Sequence, residues 1–485
     1  MGKKSISKNY LYQLSYQILA LIIPLITTPY ISRVLGAEGI GIYSFTYSIA
    51  TYFILFGSLG IAMYGQREIA YVQDKKEERS RIFWEIVILR LVLMTISATV
   101  FYFAYCTGEE YQLYYKILLI ELFSNAIDIS WFFQGLEEFK KTVTRNFIIK
   151  AAFTICIFIF VKSPADLTKY FFVAIGGNLL GNLSLWIYVP KYVQKIKIKS
   201  LKVFRHLKHT FFLFIPQIAT QVYTILDKTM IGYIVADKSE VGYYEQAQKV
   251  INMLLTLVTS LGTVMVPRMA NTFASGDKEQ MKRYLQNSFK FTYTIAFPVM
   301  LGVIAVSANF VPIFFGEGYE SVVPLINILA ITILFIGMSN VTGTQLLLPT
   351  KRQKEFTISV TIGAIVNFVL NWIFIYHYRA IGGAITTVIS EILVAGIQLW
   401  FLRKEWDLKE ILKLARNNVI AGVLMFIVAY GIGMVISNPV LGIVLQMAAG
   451  VAVYGITLLL LKDPFVFYLL ERFKIIKPKG EKVKE

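Results

Sequence analysis

Taken only as apolar and polar positions, the chain is a succession of long apolar runs from Leu11 to Leu461, separated by short polar joints. A bilayer core of roughly 30 Å takes about 20 apolar residues per helix. Runs of that order fall at 10–32, 41–64, 83–106, 113–134, 146–162, 169–189, 209–235, 242–266, 288–308, 322–347, 356–378, 381–402, 417–437 and 440–461. The pattern predicts an all-α polytopic membrane protein of about 14 transmembrane helices. Lys3, Lys4 and Lys8 precede the first run as in a signal sequence, but that run is long and lacks a small-x-small cleavage site, so it reads as a retained first span. The charged, helix-like segment Gln66–Glu85 reads either as a solvated face carrying topology-setting charge or as a helix lying along the membrane surface.

Composition agrees with the pattern. Of 485 residues 56% are hydrophobic and 16% charged, and the mean hydropathy is +0.60, far from the balance of a soluble domain. The net charge of +18 would suggest nucleic acid in a soluble protein. Here topology accounts for it. Lys and Arg concentrate in the N-terminus, in the joints near 65–82, 135–145, 190–208, 267–290, 349–356 and 403–416, and after Leu461, whereas the alternate joints hold Arg33, Lys162, Lys169, Lys238 and Arg379. That asymmetry predicts cytoplasmic termini and no nucleic-acid partner. Cys106 and Cys156 lie in or beside apolar runs, have no metal spacing and read as fillers.

The basic joint Lys191–His209 is the longest charge run between spans and separates two blocks of six. It divides the chain into an N-terminal lobe with its linker (1–206), a C-terminal lobe (207–416), and two last spans with a basic cytoplasmic tail (417–485). The second block echoes the first: Ile215-Pro216 answers Ile23-Pro24, and Val241-Gly242-Tyr243-Tyr244 answers Ile40-Gly41-Ile42-Tyr43. The glycine-rich reversal Thr28–Ser48 is thus one of two related elements, each turning at the outer face. Two halves with corresponding proline-broken first helices are the signature of a transporter whose substrate site lies between them.

Polar residues inside apolar runs are costly and usually face a bundle interior or a hydrated cavity. Gln217, Gln221, Thr224 and Lys228 form one helical stripe, with Asp227 beside it. The next span adds Tyr244, Gln248 and Asn252, with Glu245 and Lys249 at ion-pair spacing. Glu121, Asn125 and Asp128 share a face of the fourth span, Gln17, Pro24 and Thr28 lie in the first, and Arg90 lies in the third. Each stripe alone reads as interhelical hydrogen bonding; their convergence predicts a hydrated central cavity. Gly177 and Gly181 form a GxxxG suited to close helix packing. The polar, glycine-rich Gly337–Pro349 predicts a bent or broken helix beside a cavity. No GxxxxGK[ST] loop occurs, the glycines of GAEGIGIYSF follow a helix rather than a strand, and His206, His209 and His377 are too scattered for a metal site. No cofactor is expected.

The motifs TPYISRVLGAEGIGIYSF, DISWFFQGLEEFKK, LDKTMIG with VGYYEQAQK, VMVPRMA and FFGEGYE together resemble the polysaccharide-transporter (Wzx-type) flippases, of the superfamily that also holds lipid II flippases and multidrug extruders. The resemblance implies two six-helix lobes around a central cavity that opens alternately to each side, plus two final helices. It also implies translocation of an undecaprenyl-pyrophosphate-linked oligosaccharide for capsule, exopolysaccharide or O-antigen synthesis, alongside a polysaccharide polymerase and glycosyltransferases. The cationic role toward pyrophosphate would then fall on Arg33, Arg90, Lys228 and Lys249, with Gln217, Gln221, Gln248 and Asn252 lining the cavity. Glu121, Asp128 and Asp227 are the candidates for sodium or proton coupling. A multidrug exporter is the alternative within transport. A membrane polymerase or ligase is the alternative among enzymes, which place catalytic groups in a large outer loop that this chain lacks.

Overall fold

The computed structural model describes residues 6–108 and 110–467, with backbone alone for 6–21 and for several positions between 198 and 263. Among the described residues every regular element is helical, and the chain divides into two compact units, Met1–Glu245 and Gln246–Glu485. The first unit holds α1 (Ile6–Ser58), α2 (Ile61–Tyr71), α3 (Lys76–Tyr105), α4 (Gln112–Ala126), α5 (Ser130–Gly135), α6 (Phe139–Phe160), α7 (Leu167–Trp186), α8 (Val189–Tyr192), α9 (Leu207–Ile234) and the first turns of α10 (Ser239–Thr259). The second holds the rest of α10, then α11 (Gly262–Ser275), α12 (Lys278–Phe315), α13 (Val322–Leu329), α14 (Ile331–Ser339), α15 (Gln353–Leu402), α16 (Leu408–Lys413), α17 (Arg416–Val435) and α18 (Pro439–Leu460).

Among the described residues ten helical stretches are long and apolar enough to cross a membrane, or eleven if α10 and its continuation Val264–Ser275, bent by 42°, form one span. That measure does not reach fourteen, and part of the difference has a physical source. Helix α1 has 53 residues, about 80 Å at 1.5 Å per residue, far more than one bilayer core. It is broken at Gly36 (φ 69°, ψ 174°), and the 50-residue α15 is broken at Arg379 (φ 51°, ψ −132°). Each break lies where the apolar pattern places a joint between two spans, but it occupies one residue rather than a loop. The backbone of Gly36 lies in a region of φ/ψ space that is essentially closed to residues with a β-carbon.

The charged segment Gln66–Glu85 is helical at both ends. It comprises the second half of α2 and the first turns of α3, which begins at Lys76 rather than at the expected 83. Glu77 and Glu78 stand in the first turn of α3, where carboxylates complement the helix dipole. Helix α2 buries Ile61, Tyr64 and Ile69 against Phe83, Trp131, Phe132 and Phe133 in an aromatic cluster of the first unit. In the second unit a π-helix, Asn340–Leu347, occupies the polar stretch expected to bend; such wide turns gather at functional sites. There Thr342 Oγ1 donates to Gln398 Oε1 at 2.6 Å. The last two helices are fastened to α12, with Gln446 Nε2 donating to Ala305 O and Asn309 Nδ2 donating to Gln446 Oε1.

The basic joint is pinned rather than loose. Glu85, fully buried near the start of α3, accepts from Lys202 N (2.7 Å) and Arg205 Nε (2.9 Å), and its carboxylate meets His206 Nε2 at 2.8 Å. His206 Nδ1 is in turn 2.7 Å from Tyr64 Oη.

Gly36→Ala meets no atom within 4 Å, so its cost is purely conformational, about 1–3 kcal/mol, and will show as a lowered unfolding midpoint in detergent. Gly396→Ala, which also meets nothing and lies inside a helix, will be neutral or stabilising. Burial holds the His206 imidazole below its ordinary pKa, against the opposing pull of Glu85. The unfolded chain therefore takes up this proton first on acidification. Stability from this group is complete above about pH 6.5 and falls as pH drops below it. A pH series of thermal unfolding will show that slope in the native chain and a shallower one in His206→Gln.

Candidate functional site

The expected fourth span is interrupted where its charge lies. Helix α4 stops at Ala126 and α5 starts at Ser130, leaving Asp128 in the break. A helix end inside a membrane protein leaves carbonyls that only the protein can satisfy. Arg90 of α3, 4% exposed, does so, its Nε donating to Asn125 O at 2.7 Å. The same guanidinium lies 3.6 Å, through Nη2, from Asp128 Oδ2. Asp128 also accepts from the Ser130 N–H at 2.9 Å and from the Ser130 hydroxyl. Arg145 of α6 reaches the other side of the break, donating to Ser130 Oγ at 3.2 Å and to Asn182 Oδ1 at 2.9 Å. Asn182 closes the chain by donating to Ser124 O and Ser124 Oγ.

Glu121 stands in the middle of this network, 3% exposed. It accepts from Asn178 Nδ2 at 3.1 Å, Asn125 Nδ2 at 3.2 Å and Tyr47 Oη at 3.4 Å. Among the described residues no cation lies within ion-pair distance of it. Arg90 and Arg145 balance Asp128 and Glu121 in number, but the pairing is uneven, with Glu121 held by neutral donors. A buried carboxylate so placed can exchange a proton or a small cation without breaking an ion pair.

A second polar group lies on α9 and the start of α10. Lys228 Nζ donates to Glu245 Oε2 at 2.9 Å, so Glu245 reaches across to the neighbouring helix, a contact that its spacing to Lys249 along α10 does not signal. Asp227, 2% exposed, accepts from Tyr244 Oη at 2.7 Å. Along the rest of the stripe Gln221 and Thr224 are exposed and Lys228 is half-buried; the side chain of Gln217 lies outside the described residues. The Thr224 hydroxyl bonds back to its own helix, donating to Gln221 O at 2.8 Å.

The two related reversals meet. A β-carbon on Gly41 would fall 1.7 Å from Lys238 O, and one on Gly242 would fall 2.0 Å from Ala37 O. Each glycine thus abuts the carbonyl four residues before its counterpart, a reciprocal contact that only glycine permits. From there α9 runs antiparallel to the second half of α1. Lys238 Nζ lies 5.1 Å from the centre of the Phe45 ring, Ser48 Oγ lies 2.8 Å from Thr229 Oγ1, and the rings of Phe56 and Phe214 are 5.7 Å apart.

The expected site residues are therefore dispersed. Arg90, Glu121 and Asp128 come together in one buried network, and Asp227 and Lys228 lie with Tyr244 and Glu245. Arg33 is exposed one turn before the Gly36 break. Gln248 and Lys249, half-buried, and Asn252, exposed, belong to the second unit. Sequence reasoning missed Arg145, Asn178 and Asn182. By the apolar pattern Arg145 is joint charge, but α6 starts at Phe139 and carries it nearly two turns into the helix. Asn178 and Asn182, one turn apart and flanking Gly181, are signalled by their own i,i+4 spacing.

Comparison with known proteins places the chain. Residues 6–273 match the family described as "Polysaccharide biosynthesis protein", and residues 150–460 match that described as "Lipid II flippase MurJ". A protein of Escherichia coli named for O-antigen transport is 27% identical over 407 residues, covering 83% of this chain and 98% of that protein. Agl15 of Haloferax volcanii, named as a flippase of low-salt glycan biosynthesis, is 20% identical over 364 residues, 74% of this chain and 76% of that protein. Among solved structures, the lipid II flippase MurJ in an inward closed conformation aligns with a TM-score of 0.73 at 19% identity, over 96% of this chain and all of that one. An inward-facing multidrug resistance transporter of the MATE family aligns at 0.59 and 13% identity, over 82% and 99%. At these identities the structural likeness establishes the fold, that of the helical MurJ and MATE transporters.

Removing one partner of a buried ion pair costs about 3–5 kcal/mol. Arg90→Met will destabilise by that order. Asp128→Asn will cost far less in the Arg90→Met background than alone, giving a coupling above about 0.5 kcal/mol in a double-mutant cycle. Strict additivity would show that the two side chains are not energetically joined.

Proposed function

The chain belongs to the polysaccharide biosynthesis protein family, and from that premise we propose that it is a flippase, not an enzyme, moving undecaprenyl-pyrophosphate-linked oligosaccharide from the inner to the outer leaflet. The observation that carries the proposal is kinship over nearly the full length of a protein named for O-antigen transport, supported by kinship to proteins named as flippases. The product is a capsule, an exopolysaccharide or an O-antigen, and the partners are membrane lipid, a polymerase and glycosyltransferases. The protein works in the cytoplasmic membrane with both termini inside, as the distribution of Lys and Arg favours.

Transport proceeds by ion-coupled alternating access between lobes 1–206 and 207–416, with 417–485 appended. Arg33, Lys228 and Lys249 offset the pyrophosphate charge, and the amides Gln217, Gln221, Gln248 and Asn252 face the sugars. Arg90, whose guanidinium is committed to Asn125 and Asp128, is a positioning residue in this scheme. Glu121 carries the coupling proton or sodium ion, because its burial and its neutral donors leave it without a fixed counter-charge; Asp128 and Asp227 stand second to it. The alternative, an exporter of amphipathic cations, is favoured by the likeness to MATE transporters.

Cells lacking the protein will accumulate lipid-linked repeat units on the cytoplasmic leaflet; efflux of cationic dyes without such accumulation would instead establish the exporter. Lys228→Ala will reduce complementation at least about tenfold, the loss of one charge-assisted contact to the head group. The exchange Lys228→Glu with Glu245→Lys separates two roles. Restored complementation would mean that Lys228 serves only its partner, whereas continued loss places its charge on the substrate.

A further inference from the structure

We infer that the basic joint 191–209, together with the apolar groove at the foot of α9, is a binding site for one anionic phospholipid of the adjoining leaflet. The joint has seven Lys and Arg and no Asp or Glu. Positive-inside topology asks only for a charge bias; it does not ask that the charged segment be held in one shape. This segment is held at both ends. At its start Arg79 Nη2 donates to Tyr192 O at 2.7 Å, Gln194 N donates to Ser80 Oγ at 2.9 Å, and Trp84 Nε1 donates to Gln194 O at 3.3 Å. At its end Glu85 takes Lys202 N, Arg205 and His206. The pinned backbone presents Lys195, Lys197, Lys199, Lys202 and Lys208 as exposed cations. Among the described residues none of the five ammonium groups has a carboxylate partner.

Beside them lies a surface no water-facing loop would keep. Phe204 is 68% exposed and Phe212 60%, and with Leu59, Leu207, Lys208 and Phe211 they line an open groove of about 500 Å³. Phe204 stands between Lys202 and Arg205 in sequence, and Lys208 is itself a wall of the groove. Basic residues above an apolar furrow complement a phosphodiester above acyl chains, and juxtamembrane clusters of this size attract anionic lipid. The fixed backbone lowers the ordering cost of binding. The site lies far from the Gly41–Gly242 contact: the second half of α1, residues 37–58, spans about 33 Å and separates them. It is also distinct from the network around Glu121. It depends on the membrane reading of the chain, not on the substrate proposed for it.

The test uses the purified full chain in phosphatidylethanolamine nanodiscs with and without phosphatidylglycerol, read by native mass spectrometry for retained lipid and by thermal unfolding. The native chain will retain phosphatidylglycerol and be stabilised by it. Lys199→Gln/Lys202→Gln/Lys208→Gln will lose retention by about one to two orders of magnitude, since each cation contributes roughly fivefold. Lys278→Gln/Lys404→Gln/Lys413→Gln, which removes equal charge from other exposed positions, will retain it. Phe204→Ser, which spares every cation, will weaken retention without changing unfolding in lipid-free detergent. Equal retention by the two triple variants, or equal loss in both, overturns the site. Displacement by inorganic pyrophosphate at equal concentration would make it a free-anion site. Displacement by equimolar undecaprenyl phosphate would assign the groove to the transported lipid. Either of the last two results also overturns the inference, and none of these readouts requires transport.

Discussion

A guanidinium buried in a membrane protein must find every partner within the protein, and Arg90 shows how far that constraint reaches. Its neighbours are a carbonyl freed by the interruption of the fourth span and the carboxylate that sits in the interruption. In an unbroken helix that carbonyl would be taken up by the N–H four residues on. Arg90 thus caps the end of α4, adding its bond to the one that Asn125 O accepts from Asp128 N at 3.3 Å, and meets the carboxylate that follows. From this centre the bonds run outward through Ser130, Arg145, Asn182 and Ser124, binding α3 to α7 into one bundle by directional contacts rather than by apolar burial alone. Lipid supplies little hydrophobic drive for helices to associate, so polar contacts of this kind fix which helix faces which.

The same network explains why Glu121 differs from its neighbours. Asp128 has a guanidinium, and Glu85 has both Arg205 and His206. Glu121 has two amides and a phenol, groups that can accept or donate to either protonation state after small rotations. A carboxylate locked to an arginine would have to break that pair to exchange its ion; one held by amides does not. Uneven pairing inside a balanced set of charges is thus a chemical asymmetry, produced by the placement of Asn178 and Asn125 on two different helices.

Much of this is legible in the sequence because membrane helices write their lengths in apolar runs and their interiors in polar exceptions. The shared face of Glu121 and Asn125 and the polar stretch that forms a π-helix are visible as spacing. Three things are not. The joints at Gly36 and Arg379 read as short loops because periodicity does not reveal that one residue can reverse a helix. Arg145 reads as topology charge because apolar runs mark the hydrocarbon, whereas α6 begins before its run does. The bond of Glu245 to Lys228 of α9 is invisible because helical periodicity knows only its own helix, and a pairing between helices is a tertiary fact.

The repeat gives the deepest link between sequence and mechanism. Gly41 and Gly242 correspond in the echo between the two halves, and each abuts the carbonyl four residues before the other. A reciprocal contact of equivalent positions is what a local two-fold relation produces, so the weak sequence echo and the close approach are one fact seen twice. The seam that starts there ends, one helix length away, at the pinned joint. The two ends differ in kind. At the glycine end the contact is backbone against backbone with a lysine over a ring, made of dispersion terms of about 0.1–0.2 kcal/mol per atom pair and one cation–π contact. At the other end Glu85 holds the joint by hydrogen bonds to charged groups, about 1.5–3 kcal/mol each. The glycine contact and the pinned joint thus fasten the two ends of α9 to different helices, the first to α1 through backbone contact and the second to α3 through the Glu85 carboxylate.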